Sequence, residues 1–307
     1  MEYQIERLSA QNIHHLVSLY LKVFGQVTSK SFLLKKYDTK AIGVDYVGFI
    51  AIAPSGIAAA YYGVIPCNFQ ISGERVVAAQ SADTMTHPDF RKKGLFQLLA
   101  KKTYELAPTL NIQFIFGFPN QDSYPGFVKL GWKFLPDQLQ VFSVKTGSIA
   151  YGRLLRRPPF LSHLYDSIIS RVLGGERITP AFFDDEATIG QTHDETFCSY
   201  KTYHSTYIVP INGGSAWIRM DGALKVGAVK GLNKSNSLHF LKRLKEIASR
   251  WGCSEVTFIT SKHSVLYNVL IETLTPRDAF PIGYLPLQDD HLSLDRASFE
   301  YCDIDIF

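Results

Sequence analysis

The sequence has little cysteine and no long hydrophobic run, and both absences limit what the protein can be. Four cysteines occur in 307 residues, far apart and with no Cys-x-x-Cys pair. We therefore expect buried, reduced thiols in a cytoplasmic protein rather than a disulfide framework. No apolar stretch reaches the roughly 20 residues that a membrane span needs. The N-terminal residues alternate like a strand and lack the apolar core of a signal peptide.

Strong charge of one sign is also absent. The formal net charge is only +4, and basic and aromatic residues do not alternate along one segment, so no nucleic-acid partner is expected. His193 and Cys198 lie close in sequence, but no second pair completes a zinc site, and no His-Glu-x-x-His occurs. The sequence therefore predicts no metal. A chain of this length with 46% hydrophobic residues favours two domains with ample cores.

Hydrophobic periodicity predicts the order β-α-α-β-β-β-α-β-α-β-β over residues 3–144, a mixed α/β sheet. Residues 10–24 and 29–37 have helical spacing, and Pro54-Ser55-Gly56 joins two strands as a hairpin. We expect the last two strands of this half at 132–135 and 138–144.

The most informative stretch is a strand, a basic turn and a helix over residues 82–100. The strand ends in His87-Pro88, the turn carries Arg91, Lys92 and Lys93, and Gly94 opens an apolar helix pattern. Free backbone amides and the positive end of a helix then point at one place, which indicates a site for a phosphate-rich ligand. The plainer interpretation is a solvated basic turn.

This order and two motifs resemble the GNAT acyltransferase superfamily. The acyl-CoA signature of that family, Arg or Gln-x-x-Gly-x-Gly or Ala, resembles residues 91–96, which depart from it at Phe96. That side chain either narrows the approach of a pyrophosphate or packs beneath the loop. A second motif resembles residues 120–132, with Asn120, Gly131 and Trp132 in register. The resemblance covers about residues 3–144.

The resemblance implies acetyl-CoA as co-substrate and direct attack of an amine on its thioester. The pantetheine arm would lie beside the strand Ala82–His87, and the diphosphate would rest on the amides that follow. The cofactor-binding residues implied in this way are Met85, Thr86, His87, Arg91, Lys92, Lys93, Gly94, Leu95, Phe96 and Asn120. The acceptor would be an amine of a small molecule, a sugar or a peptide.

The residues that would transfer protons depart from the family's pattern. The Tyr that the family usually has as acid falls at Phe127, so Tyr124, one helical turn earlier, is the candidate acid; it could also be a packing aromatic. Asp83 is the candidate base, because burying a carboxylate within a sheet costs free energy and so indicates a specific role. A hydrogen-bonded structural role for Asp83 is equally open, and His87 is more typical of a turn residue than of a base.

The C-terminal half repeats this organisation in outline. We expect domains at 1–145 and 181–307, joined by a linker over 146–180 whose amphipathic helix docks between domains rather than on a membrane. The second domain has a hairpin at Asp221-Gly222 and a helix over 237–250, but no Arg-x-x-Gly turn. It is therefore interpreted as a degenerate GNAT-like domain, similar to the silent halves of tandem Eis-type and Fem-type transferases.

Residues 299–307 alternate and predict a closing strand. The loose resemblance to Eis-type enzymes implies, as an alternative, that the terminal carboxylate at Phe307 acts as a base. The expected function is N-acetyl transfer. A Fem-type transferase that uses aminoacyl-tRNA and a non-catalytic CoA-binding module stay open.

Overall fold

The computed structural model describes residues 2–155, 159–183, 187–211, 213–288 and 291–307. These residues form two compact units. The first consists of Met1–Pro136 and Pro281–Asp295, and the second of Asp137–Phe280 and Arg296–Phe307. The chain passes from one unit to the other within two of its strands, β6 (Lys133–Lys145) and β12 (Arg277–Pro286).

The first unit confirms the predicted order of elements. In chain order they are β1 Gln4–Arg7, α1 His14–Phe24, α2 Lys30–Tyr37, β2 Val47–Ile52, β3 Ala58–Ile71, β4 Glu74–Thr86, α3 Leu95–Thr109, β5 Phe114–Gly117 and α4 Tyr124–Lys129. One expectation was wrong: the two strands predicted at 132–135 and 138–144 are the single strand β6, because Pro136-Asp137 continues the extended backbone instead of turning it.

The sheet of the first unit has the order β1-β2-β3-β4-β5-β12. Its strands pair antiparallel except β4 and β5, which pair parallel. Buried side chains of the sheet pack with α3 and α4 in one cluster that includes Tyr62, Leu99, Ile115 and Phe127. Ser29 caps the start of α2 by accepting a hydrogen bond from the Phe32 amide at 3.1 Å.

The elements of the second unit are α5 Tyr151–Leu155, α6 Pro159–Leu173, β7 Ile189–Gln191, α7 Glu195–Tyr200, β8 Thr206–Ile211, β9 Gly214–Met220, β10 Leu224–Lys230, α8 Ser237–Arg250, β11 Glu255–Thr260 and α9 Val265–Leu270. Its strands lie in the order β6-β11-β10-β9-β8, and β10 and β11 pair parallel. The predicted hairpin and the helix over 237–250 are confirmed. The amphipathic helix is α6, which buries Tyr165 and Ile169 in this unit's core; the basic residues Arg156 and Arg157 before it lie outside the described residues.

The predicted closing strand over 299–307 was wrong. Residues Tyr301–Asp303 form a short 3-10 turn. The Glu300 side chain accepts from the Asp303 amide and the Asp303 side chain accepts from the Glu300 amide, so local hydrogen bonds replace a ladder. The alternation was real, but the carbonyls of this segment bond to side chains: Lys201 Nζ donates to Ile304 O at 2.8 Å and Tyr203 Oη to Asp305 O at 2.9 Å.

All four cysteines are free and buried, as expected from their spacing. Within the described ranges, no helix is both long enough and apolar enough to cross a bilayer.

Candidate functional site

The first unit has an opening in its sheet where β4 outruns β5. The parallel pairing of these strands runs from Ala78 opposite Phe114 to Gln80 opposite Phe116, and β5 ends at Gly117. β4 continues to Thr86, paired on its other side with β3. Among the described residues, the β5-side edge of residues 81–86 therefore has no strand partner, and an extended ligand can bind there.

A bulge lies within this open stretch of β4. Gly63 on β3 faces Ala82, but Tyr61, two residues away, faces Met85, so β4 uses one extra residue. Asp83 lies within the bulge, and its φ of +49° falls in the left-handed region that a non-glycine residue seldom adopts. The bulge re-aims the backbone groups of β4 at the place where they are free to bind a ligand.

Asp83 itself is held in a buried ion pair. The Lys36 Nζ lies 2.8 Å from Asp83 Oδ2, with the two side chains only 4% and 9% exposed. Tyr37 Oη donates to the same oxygen at 2.7 Å. Burial and then the Asp83 charge raise the pKa of Tyr37 well above its usual value, so Tyr37 stays a neutral donor. The charge of the carboxylate proposed as a base is thus neutralised by Lys36, and Tyr37 adds a hydrogen bond. Neither of these α2 residues is marked by a sequence motif.

The turn between β4 and α3 has a backbone geometry that suits an anion. Lys92 has a φ of +60° and Gly94 one of +74°, and Gly94 caps α3 without any side-chain hydrogen bond. A Cβ placed on Gly94 would meet nothing within 4 Å, so the approach to these amides is open. Successive amides at the start of a 15-residue helix provide the donors that a diphosphate needs.

Basic side chains surround this loop, whereas the imidazole of His87 before it and the ring of Phe96 at its end pack inward. Arg91, Lys92 and Lys93 are exposed, and Arg91 Nε donates to Thr86 O at 3.4 Å. His87 is buried, and its Nδ1 accepts from the Asp89 amide at 3.3 Å, which supports the turn-residue interpretation. Phe96 packs beneath the loop, with its ring 5.7 Å from Tyr62 and 5.4 Å from Phe127.

The two candidates on the second motif lie at the start of α4. Asn120 Oδ1 accepts from the amides of Asp122 and Ser123 at 3.1 and 3.0 Å, so its oxygen is used to close the turn. Tyr124 is 37% exposed, and its ring lies 4.5 Å from that of Phe134. Phe127, at the family's usual Tyr position, is buried.

A buried chain of hydroxyls next to the opening was also missed. Ser81 Oγ donates to Tyr62 Oη, the hydroxyls of Tyr62 and Tyr104 lie 3.1 Å apart, and Trp132 Nε1 donates to Tyr104 Oη at 2.9 Å. Burial raises the pKa of Tyr104 to about 12. Ser81 follows Gln80, the last residue of β4 that pairs with β5. No sequence motif marks Ser81, Tyr62 or Tyr104.

The corresponding region of the second unit is filled by the protein itself. β10 and β11 pair parallel only from Leu224 to Val226, and β10 has an irregularity at Gly227. The Phe307 ring covers Gly227, since a Cβ there would lie 2.2 Å from Phe307 Cζ. A Cβ on Gly231, after β10, would lie 2.4 Å from the Gly213 carbonyl oxygen. Where Gly94 faces open space, Gly231 is covered.

Comparisons with known proteins agree with this geometry. Residues 4–135 match the family model described as an acetyltransferase (GNAT) domain. A search of curated proteins finds no match. Among solved structures, the chain is similar to a GCN5-related N-acetyltransferase from Kribbella flavida, with a TM-score of 0.58, 12% identity, and coverage of 94% of this chain and 72% of that one. A GCN5-related N-acetyltransferase from Anabaena variabilis gives a TM-score of 0.58, 15% identity and coverage of 93% and 73%.

The class of protein is therefore an α/β protein with the GNAT fold. Residues 4–135 match the model of the GNAT acetyltransferase domain, and the likeness in fold extends over nearly the whole chain.

Proposed function

We propose that the protein transfers an acyl group, acetyl in the first instance, from acyl-CoA to an amine. The observation that carries this proposal is the open edge of β4 leading directly into a loop with two left-handed residues and an uncapped helix start. An extended thioester arm needs the first feature and a diphosphate needs the second. The GNAT domain match supports the same co-substrate.

The residues of the loop fit a diphosphate without rearrangement. Gly94 leaves room for close approach, and the backbone amides of Lys92 to Phe96 supply donors at the positive end of α3. Arg91, Lys92 and Lys93 add charge that raises the rate of encounter with a polyanion. Asn120 stabilises the turn that presents α4.

The bulge supplies the groups next to the thioester. Backbone amides around Met85 would donate to the thioester carbonyl oxygen, where negative charge develops when the amine attacks. We propose that Asp83 acts by fixing this bulge, because Lys36 and Tyr37 already occupy its carboxylate. Tyr124, exposed at the start of α4, is the proposed donor of a proton to the departing sulfur. Holding the two reactants together supplies much of the acceleration.

The second unit is proposed to bind no acyl-CoA. Phe307 covers the irregularity of β10 and the Gly213 carbonyl covers Gly231. Asn236 Nδ2 donates to Gly231 O at 2.8 Å, and Asn233 Oδ1 accepts from the Asn236 amide, so the groups before α8 are already satisfied. One acyl-CoA per chain follows.

Calorimetry with acetyl-CoA tests the proposal through a matched pair of glycine variants. Gly94→Val places a branched side chain in the path of the diphosphate. Gly73→Val, at the other end of β4, introduces the same change at a similar φ of +94°, again with nothing within 4 Å. Both variants should lose comparable stability from backbone strain of about 1–2 kcal/mol.

Only Gly94→Val should lose affinity, by tenfold or more, and wild type should bind one equivalent. Equal affinities in the two folded variants would show that the diphosphate binds elsewhere.

One observation favours a second candidate function, a CoA-binding module that transfers nothing. The family's usual Tyr is replaced by the buried Phe127, and Tyr124 is the sole nearby substitute that the sequence analysis offers. Thiol release from acetyl-CoA, measured over a panel of primary amines, distinguishes the two. Stoichiometric binding with no acceptor-dependent thiol release, and no response to aminoacyl-tRNA, would favour the module.

A further inference from the structure

Three side chains of the types that bind transition metals converge in the second unit. His193 lies between β7 and α7, and Cys302 and Asp303 lie in the 3-10 turn near the C-terminus. The His193 Nε2 is 2.7 Å from Asp303 Oδ1 and 4.0 Å from Cys302 Sγ. One ligand atom from each residue lies within 4.8 Å of both others.

The surroundings hold these groups in position. Cys302 and Asp303 are buried, and the His193 side chain is 17% exposed, which leaves a path from solvent. The His193 ring stacks on Phe183 at 4.1 Å and packs on Phe197 at 4.7 Å. Asp303 Oδ2 accepts the Glu300 amide at 2.7 Å, so Oδ1 is turned toward the imidazole. Such outer contacts are what orient ligands in metal sites.

The distances suit a tetrahedral ion. Zinc bonds of about 2.0–2.3 Å to nitrogen, oxygen and sulfur place neighbouring ligand atoms about 3.4–3.6 Å apart. The separations from His193 Nε2 to Asp303 Oδ1 and to Cys302 Sγ, 2.7 and 4.0 Å, lie on either side of that value, so movements of under about 1 Å would form the site. Imidazole with thiolate selects zinc-like ions over magnesium or calcium.

We propose that His193, Cys302 and Asp303 bind one zinc-class divalent ion, with water from the exposed edge of His193 as the fourth ligand. The ion ties the loop before α7 to the C-terminal segment. That segment is otherwise held through its carbonyls, by Lys201 at Ile304 and by Tyr203 at Asp305. The sequence predicts no metal because no second pair near His193 and Cys198 completes a zinc site, whereas the fold brings Cys302 to His193 from 109 residues away.

The alternative is that His193 and Asp303 form only a hydrogen-bonded pair and that Cys302 only packs beside them. Cobalt distinguishes a metal site from this pair, because a cobalt–thiolate bond has its own charge-transfer absorption. The full-length protein would be stripped with a chelator and titrated with Co²⁺ and then Zn²⁺. We expect one equivalent, with the thiolate band present. Cys302→Ser should abolish the band and weaken zinc binding at least tenfold. Cys198→Ser is the matched control, because its sulfur is also buried and lies 4.0 Å from the His193 carbonyl oxygen rather than the ring.

Should Cys302→Ser fail to fold, as judged by circular dichroism, His193→Asn gives the same test. Binding without a thiolate band, no stoichiometric binding by wild type, or equal binding by Cys302→Ser and Cys198→Ser would overturn the proposal.

Discussion

The buried pair between Lys36 and Asp83 gives a sharp prediction about the bulge. Lys36→Met removes the ammonium 2.8 Å from a carboxylate whose side chain is 9% exposed and leaves the Tyr37 hydroxyl donating to it. Breaking a buried pair by removing one partner costs about 3–5 kcal/mol, since a charge is left unpaired. With Tyr37 still in place we expect the lower end, about 3 kcal/mol.

The double variant separates this charge effect from lost packing. Asp83→Asn keeps a residue that tolerates positive φ and can still accept from Tyr37, so Lys36→Met with Asp83→Asn contains no unpaired charge. We expect the double variant to be at least about 2 kcal/mol more stable than Lys36→Met alone. Urea unfolding of four proteins, wild type, the two single variants and the double variant, measures this. If Lys36→Met costs under about 1 kcal/mol, or the two single effects simply add, the ion pair does not hold the bulge.

The same variants should affect function selectively. Because the pair lies at the bulge and not at the diphosphate loop, Asp83→Asn should lower the turnover number much more than the affinity for acetyl-CoA. Equal losses in both would point to a general loss of structure.

Three further predictions follow from single side chains. Tyr124→Phe should lower turnover about a hundredfold or more with little change in acetyl-CoA affinity if its hydroxyl protonates the sulfur; near wild-type turnover would remove Tyr124 from the mechanism. Phe307→Ala should destabilise the second unit by about 3–5 kcal/mol, because the ring is fully buried over Gly227. Its control, Ile306→Ala at a 41% exposed position, should cost under about 1 kcal/mol. A similar loss of stability in both variants would contradict the packing described. Burial raises the pKa of Tyr104 to about 12, so the folded state holds a proton that the unfolded state releases above about pH 10. The free energy of unfolding, measured by urea titrations, should therefore fall from pH 10 to 12, and it should fall less steeply in Tyr104→Phe. An unchanged slope would show that this tyrosine does not contribute.

The fold of the first unit was predictable from sequence because its signals are local. Helix spacing, the Pro54-Ser55-Gly56 turn and the strand before Gly94 each depend on neighbours in the chain, and the elements appear within a few residues of where they were expected. The closing strand failed because alternation at 299–307 could not reveal that side chains from Lys201 and Tyr203 would bind its carbonyls.

The candidate site was predictable where it consists of backbone. The loop at Arg91 to Phe96 follows from one motif, but Lys36 and Tyr37 reach Asp83 from 47 and 46 residues away and carry no motif of their own. Their charge and hydrogen-bonding roles depend on tertiary contact. Three predictions stay untested: the domain boundaries at 145 and 180, the roles of Tyr124 and Asp83, and a catalytic role for the terminal carboxylate of Phe307. If a short extension after Phe307 leaves activity intact, that carboxylate has only a structural role.

Hydrogen–deuterium exchange with and without CoA tests the central proposal most directly, because it locates the ligand on the backbone. Binding should protect amides in peptides covering residues 82–98, the open stretch of β4 and the start of α3. Peptides covering 224–237, the corresponding part of the second unit, should be unchanged. Protection confined to the second unit, or none at residues 92–97 under saturating CoA, would contradict the account.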